Sequence, residues 1–159
     1  KRREPRPIKG PMIVAIDTSG SMQGKAESIA KALLMEITQM AKKQCRKCFL
    51  LSFSVRAQVL NTAHPGNWKK VREFMVSQFS GGTDGEEMLT TILHTLTKEN
   101  YLMADVLIIS DFEFAFCCKS TESRIRREQE RGVHFYGLQI GNGLNVYKEL
   151  LDKVWRLDL

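Results

Sequence analysis

The sequence contains no apolar run approaching the roughly 20 residues that a membrane-spanning helix requires. Its uninterrupted apolar stretches are strand-sized, as in Met12-Ile13-Val14-Ala15-Ile16 and Val106-Leu107-Ile108-Ile109. The opening residues Lys1-Arg2-Arg3-Glu4-Pro5-Arg6-Pro7 lack the apolar centre of a signal peptide, so the expected compartment is the cytoplasm. Histidine is scarce. His64 falls in an expected loop, His94 in an expected helix and His134 in an expected strand, and none neighbours a nucleophile motif, which argues against a histidine-based catalytic arrangement. The glycine motifs are incomplete. Gly141-Asn142-Gly143 lacks the third glycine of a dinucleotide fingerprint, and Gly24-Lys25 is followed by Ala26 and preceded by Ser19 where a P-loop needs glycine.

Cysteine is equally sparse: four residues in a chain of 159, which is long enough to bury a full core, do not make a disulfide framework. Cys45-Arg46-Lys47-Cys48 has redox or zinc spacing, but it stands where an expected helix ends, whereas a thioredoxin-like motif opens one. The vicinal pair Cys117-Cys118 would strain a shared zinc site, so the reading is structural or free thiols.

The formal charge is +6, but residues 1–9 carry five basic side chains against Glu4, so +4 of it lies in the lead segment. A charged, proline-containing lead is a solvated linker, so no nucleic-acid partner is expected. Residues 1–9 read as a linker from an upstream region, and residues 10–159 as one domain excised from a longer protein.

Within that domain the periodicity alternates. The buried-type strand 12–16 precedes a helical repeat of Ala26, Ile29, Ala30, Leu33, Leu34, Ile37, Met40 and Ala41. Strands follow at 49–53 and 58–60 as a hairpin edge, then helices over 68–79 and from Gly85 through Leu96. A second fully buried strand at 106–109, a charged helix over 120–131, a strand at 133–140, a short helix and a last strand at 154–157 complete the chain. This order predicts an α/β fold, doubly wound, with a mainly parallel sheet and helices on both faces.

Both buried strands end in hard oxygen donors. Asp17, Ser19 and Ser21 follow the first, Asp111 closes the other, and Thr83 lies in the Gly81-Gly82-Thr83-Asp84 loop. Loops at the carboxyl ends of parallel strands converge on one crevice, so these five side chains can meet there. Hydroxyls and carboxylates without imidazole or thiolate select Mg²⁺, with Mn²⁺ or Ca²⁺ as the alternatives, over zinc. An ion held mainly by neutral hydroxyls stays electrophilic and accepts an outside carboxylate. In a tight loop every second side chain turns to one side, and Gly20 is expected to let that loop bend without a Cβ clash. Each residue also has a plainer role: Ser19 or Ser21 as a helix cap, Thr83 with Glu86 as a capping box, Asp111 as a cap after a strand. Together, in this order, they favour the cation.

The motifs at 17–21, 81–84 and 110–111 resemble the metal-ion-dependent adhesion site of von Willebrand factor A (VWA) domains, and the likeness runs from Gly10 to the end of the chain. Gly10-Pro11, Leu51-Ser52-Phe53-Ser54 and Val154-Trp155-Arg156-Leu157-Asp158 are similar to the ViaA-like and CoxE-like bacterial proteins. That resemblance implies a Rossmann-like VWA fold and a protein partner, a MoxR-family AAA+ ATPase or its client, supplying an Asp or Glu. It implies an adaptor, not an enzyme. Phe112-Glu113-Phe114-Ala115-Phe116-Cys117 reads either as core or as an apolar rim beside the ion. The rival function is a Mg²⁺-dependent phosphohydrolase with Asp17 as nucleophile. That chemistry needs a second carboxylate two residues on, where this chain has Ser19.

Overall fold

A computed structural model describes residues 10–53, 58–62, 64–76, 85–98 and 103–158. The two strands whose side chains are apolar on successive positions lie at the centre of the sheet, where both faces are covered. These are β1 (Met12–Asp17) and β4 (Asp105–Ser110), paired in parallel from Met12 against Asp105 to Ile16 against Ile109. On the other side of β1 runs β2 (Cys48–Phe53), also parallel, and an antiparallel β3 (Gln58–Asn61) closes that edge. Beyond β4 come β5 (His134–Ile140) and β6 (Lys153–Leu157), giving the order β3-β2-β1-β4-β5-β6. The doubly wound α/β expectation holds, as does the hairpin edge.

Helices cover both faces. On one, α1 (Lys25–Lys43) sets Ala26, Ala30, Leu34, Ile37 and Ala41 against Val14, Ile16 and Leu50, and Phe74 and Met75 of α2 (Trp68–Val76) join the same cluster. On the other, α3 (Gly85–Lys98) presents Met88, Leu89, Ile92, Leu93 and Leu96, and α4 (Lys119–Glu130) presents Ile125, against Ile13, Ala15, Val106, Ile108 and Phe135. Fully burying one such side chain is worth about 1.5–3 kcal/mol, so packing rather than intrinsic propensity holds these helices. None of the described helices is long and apolar enough to cross a membrane.

Two details depart from the sequence reading. The segment between β5 and β6 is a series of turns rather than a short helix: both Leu150 and Leu151 N–H donate to the Tyr147 carbonyl at 3.0 Å. Side chains add further partners: the Asn145 side-chain oxygen accepts the Tyr147 N–H at 2.8 Å and the Gln129 amide donates to the Leu150 carbonyl at 2.8 Å. Leu107, expected to be fully buried, is only half-buried, and like Leu138 it packs against the core on the α1 side of the sheet. Helix α2 is described as far as Val76, and residues 77–79 of the expected helix lie outside the described residues.

Candidate metal centre

The parallel register that pairs Ile16 with Ile109 brings the ends of β1 and β4 level, so Asp17 and Ser110 meet at the carboxyl edge of the sheet. Asp17 is fully buried. Its Oδ1 accepts the Ser19 N–H at 2.9 Å and its Oδ2 accepts the Ser110 hydroxyl at 2.6 Å. The Ser110 oxygen then accepts the Phe112 N–H at 2.9 Å. After Ser19 the chain makes a short 3-10 turn, Gly20–Met22, and Met22 drops its fully buried side chain among Val14, Ile16 and Ile140. That anchor holds the loop while Ser19 and Ser21 bring their hydroxyl oxygens to 2.9 Å from each other. Ser19 is buried and Ser21 exposed, so the cluster runs from the core out to solvent.

The capping role weighed for these serines is not what they do. Ser19 makes no side-chain cap bond at its turn, and α1 starts instead from Gly24 at φ +82°, a conformation that favours glycine. Gly20 is a correction: a Cβ there would meet nothing within 4 Å and its φ is not left-handed, so the loop does not need a glycine for room. Buried Thr18 leaves its hydroxyl oxygen without a partner among the described residues.

Asp111 stands one residue past Ser110, partly exposed, with Oδ1 accepting the Glu113 N–H at 3.1 Å. Hydrogen bonds thus join Asp17, Ser19, Ser21 and Ser110, while Asp111 adjoins them along the chain. Thr83, with the rest of residues 81–84, lies outside the described residues. The capping box weighed for Thr83 and Glu86 lies partly outside the described residues; within them the Glu86 carboxylate accepts the Cys118 N–H at 3.0 Å and the Thr121 hydroxyl, at the start of α4. The Thr121 bond leads in holding the Glu86 carboxyl below its ordinary range, with further bonds from Cys118 acting the same way and burial against it.

Ser110 falls within the 110–111 motif, but sequence reasoning did not count it among the site's oxygen donors. The available signal was a hydroxyl ending an otherwise apolar buried strand in register with Asp17. The donors that do gather are all oxygens of hydroxyl or carboxylate groups, which suits a hard divalent cation. Among the described residues, no three of His, Cys, Asp and Glu come together as a metal site. All four cysteines are free thiols, with Cys45 and Cys118 exposed, Cys48 and Cys117 buried. Burial, reinforced by the nearby Glu86 charge, pushes the Cys117 thiol up to about 11.

The segment after Asp111 is part core and part surface. Phe112 and Cys117 are buried, whereas Phe116 lies over Tyr147 with ring centroids 5.0 Å apart and is 42% exposed. The histidines sit away from this edge: His64 Nδ1 accepts the Gly66 N–H at 3.1 Å, and His134 stacks on Tyr136 at 5.8 Å.

Six strands in this order, with one antiparallel edge and a D-x-S-x-S loop at the carboxyl end of the first, decide the architecture. The chain has the fold of von Willebrand factor A domains. Solved structures agree. It superposes on the VWA domain of SpRpn10 with a TM-score of 0.72 at 14% identity, covering 95% of this chain and 89% of that one. BatB from Bacteroides thetaiotaomicron gives 0.65 at 15% identity over 94% of this chain and 90% of that one. A von Willebrand factor type A protein from Catenulispora acidiphila gives 0.64 at 15% identity over 94% of this chain and 38% of that one. No protein-family model matches the sequence.

Proposed function

We propose that this VWA fold is a protein-binding module that holds one divalent cation, Mg²⁺ by preference and Mn²⁺ or Ca²⁺ otherwise, and takes a partner's Asp or Glu as its missing ligand. The ligands are the hydroxyls of Ser19, Ser21 and Thr83, with Asp17 and Asp111 acting at least partly through water. The observation that carries this reading is the cluster itself: a buried carboxylate held by Ser19 and Ser110, with two further hydroxyl oxygens 2.9 Å apart leading out to solvent. Both Asp17 oxygens already accept protein hydrogen bonds, which favours water-mediated rather than direct contact with the ion. Mg²⁺ suits such an arrangement because it keeps several waters in its shell.

The cation supplies one thing, a positive charge that a carboxylate can reach. The surrounding edge offers apolar area to a docking partner: Phe116 and Val146 are 42% and 44% exposed, and Leu144 is 86% exposed. We assign the partner to the MoxR-family AAA+ ATPases or their clients on the ViaA-like and CoxE-like resemblance of the sequence. No catalytic step is assigned to Asp17.

Calorimetric titration with Mg²⁺ tests the site, and capture of a purified MoxR-family ATPase with and without EDTA tests the bridge. Asp17→Ala is expected to weaken Mg²⁺ binding by about 10–100-fold while leaving the fold intact. Unchanged Mg²⁺ affinity in that variant, or capture that persists in EDTA, contradicts the reading.

A further inference from the structure

The residue after Asp111 has an unusual backbone. Phe112 adopts φ +57°, the left-handed region that bulky side chains rarely occupy. Such a conformation persists only where its surroundings over-determine it, and two contacts do so here. The Phe112 ring is 2% exposed, with Phe114 at 5.9 Å and Tyr147 at 6.3 Å between centroids, and it lies directly on Gly137 of β5. A Cβ at Gly137 would come within 3.0 Å of Phe112 Cζ and 2.9 Å of Leu151 Cδ1. A glycine in the middle of a buried strand marks a close approach by other groups, and here those groups are the Phe112 ring and the Leu151 side chain. At its other end Phe112 donates its N–H to Ser110 Oγ at 2.9 Å, and Ser110 donates to Asp17 Oδ2 at 2.6 Å.

A continuous mechanical path therefore runs from Gly137 through the ring and the left-handed turn to the two carboxylates. Rotating Phe112 out of its conformation would draw its N–H off Ser110 and re-aim Asp111, whose carbonyl and side chain share that turn. We propose that Phe112, seated on Gly137, is a positioning residue for the cation site, so that β5 tunes metal affinity without touching the metal. This rests on the cation reading above.

The test is Mg²⁺ affinity by calorimetry on the whole chain, with near-ultraviolet circular dichroism and urea unfolding as checks of the fold. Gly137→Val drives a side chain into the ring's seat and is expected to weaken Mg²⁺ binding by about 10–100-fold, the usual effect of removing a residue that orients metal ligands. Gly137→Ala is the milder variant and decides the matter if the valine protein does not fold. Adding Phe112→Leu to Gly137→Ala removes the Phe112 Cζ clash and leaves the Leu151 contact, and is expected to restore part of the Mg²⁺ affinity, whereas adding Leu151→Ala, which relieves the packing without touching the turn at Phe112, is not. Folded Gly137 variants that bind Mg²⁺ within about twofold of the unsubstituted protein overturn the proposal while leaving the cation site standing. If the unsubstituted protein binds no Mg²⁺, both fall together.

Discussion

The two ends of the β1–β4 pair handle a carboxylate in opposite ways. At the amino end Asp105 receives Arg46 Nη2 at 2.7 Å, and the same guanidinium donates Nε to the Gly10 carbonyl at 2.7 Å. That single nearly buried side chain ties the turn after α1 to β4 and to the approach into β1. At the carboxyl end Asp17 receives a backbone N–H from Ser19 and a hydroxyl from Ser110, both neutral, and more hydroxyl oxygens stand beside it toward solvent. An ion pair closes one end and commits it to stability. Neutral donors around a carboxylate keep negative charge concentrated at the other, which is the arrangement that attracts a cation.

The largest effect that would break this comparison is cation linkage to stability. Mg²⁺ at about 100 times its dissociation constant should add about 2.7 kcal/mol to the unfolding free energy, read from urea midpoints. That gain should vanish in Asp17→Ala and survive whole in Arg46→Met; a gain lost equally in both would mean the two ends are not separate. Second in size, Arg46→Met should cost about 2 kcal/mol, since it leaves Asp105 without its cation and the Gly10 carbonyl without its donor. Its Mg²⁺ affinity should not change. The smallest effect sharpens the difference in alkali. Cys117 and Tyr147, both on the carboxyl-end loops, have their ionisation pushed up chiefly by burial, Cys117 to about 11. The unfolded chain ionises first, from about 8.5 for a cysteine, so the stability from these groups is full below that value and declines as pH rises toward about 11. Cys48, near the amino end, is raised for the same reason. Replacing Cys117 with Ser should flatten part of that decline, which urea midpoints across the alkaline range would measure.

How much was legible in the chain depends on the range of the interaction. The strands at 12–16 and 106–109 could be read as central because every residue in them is apolar, and the helix over 25–43 because its apolar positions recur at helical spacing. The D-x-S-x-S loop could be read because its three donors are local. The turn series over 141–152 could not, because its Leu150 carbonyl is met by Gln129 from another helix and its Tyr147 side chain is anchored through a hydroxyl bond to the distant Ala115 carbonyl at 2.7 Å. The bond from the Cys118 N–H to Glu86, thirty-two residues away at the start of α4, could not be read either, because only the packing of α3 against α4 creates it.

By itself the sequence determined the alternation of buried strands and amphipathic helices, and with it the doubly wound class, because hydrophobic period is a local property. It also set the chemistry of the candidate donors as hard oxygens. Only the tertiary structure decided that Ser110 would stand against Asp17, that Phe112 would sit left-handed over Gly137, and that Arg46 would claim Asp105. Those outcomes depend on parallel register and close packing between segments many residues apart, which no local pattern encodes.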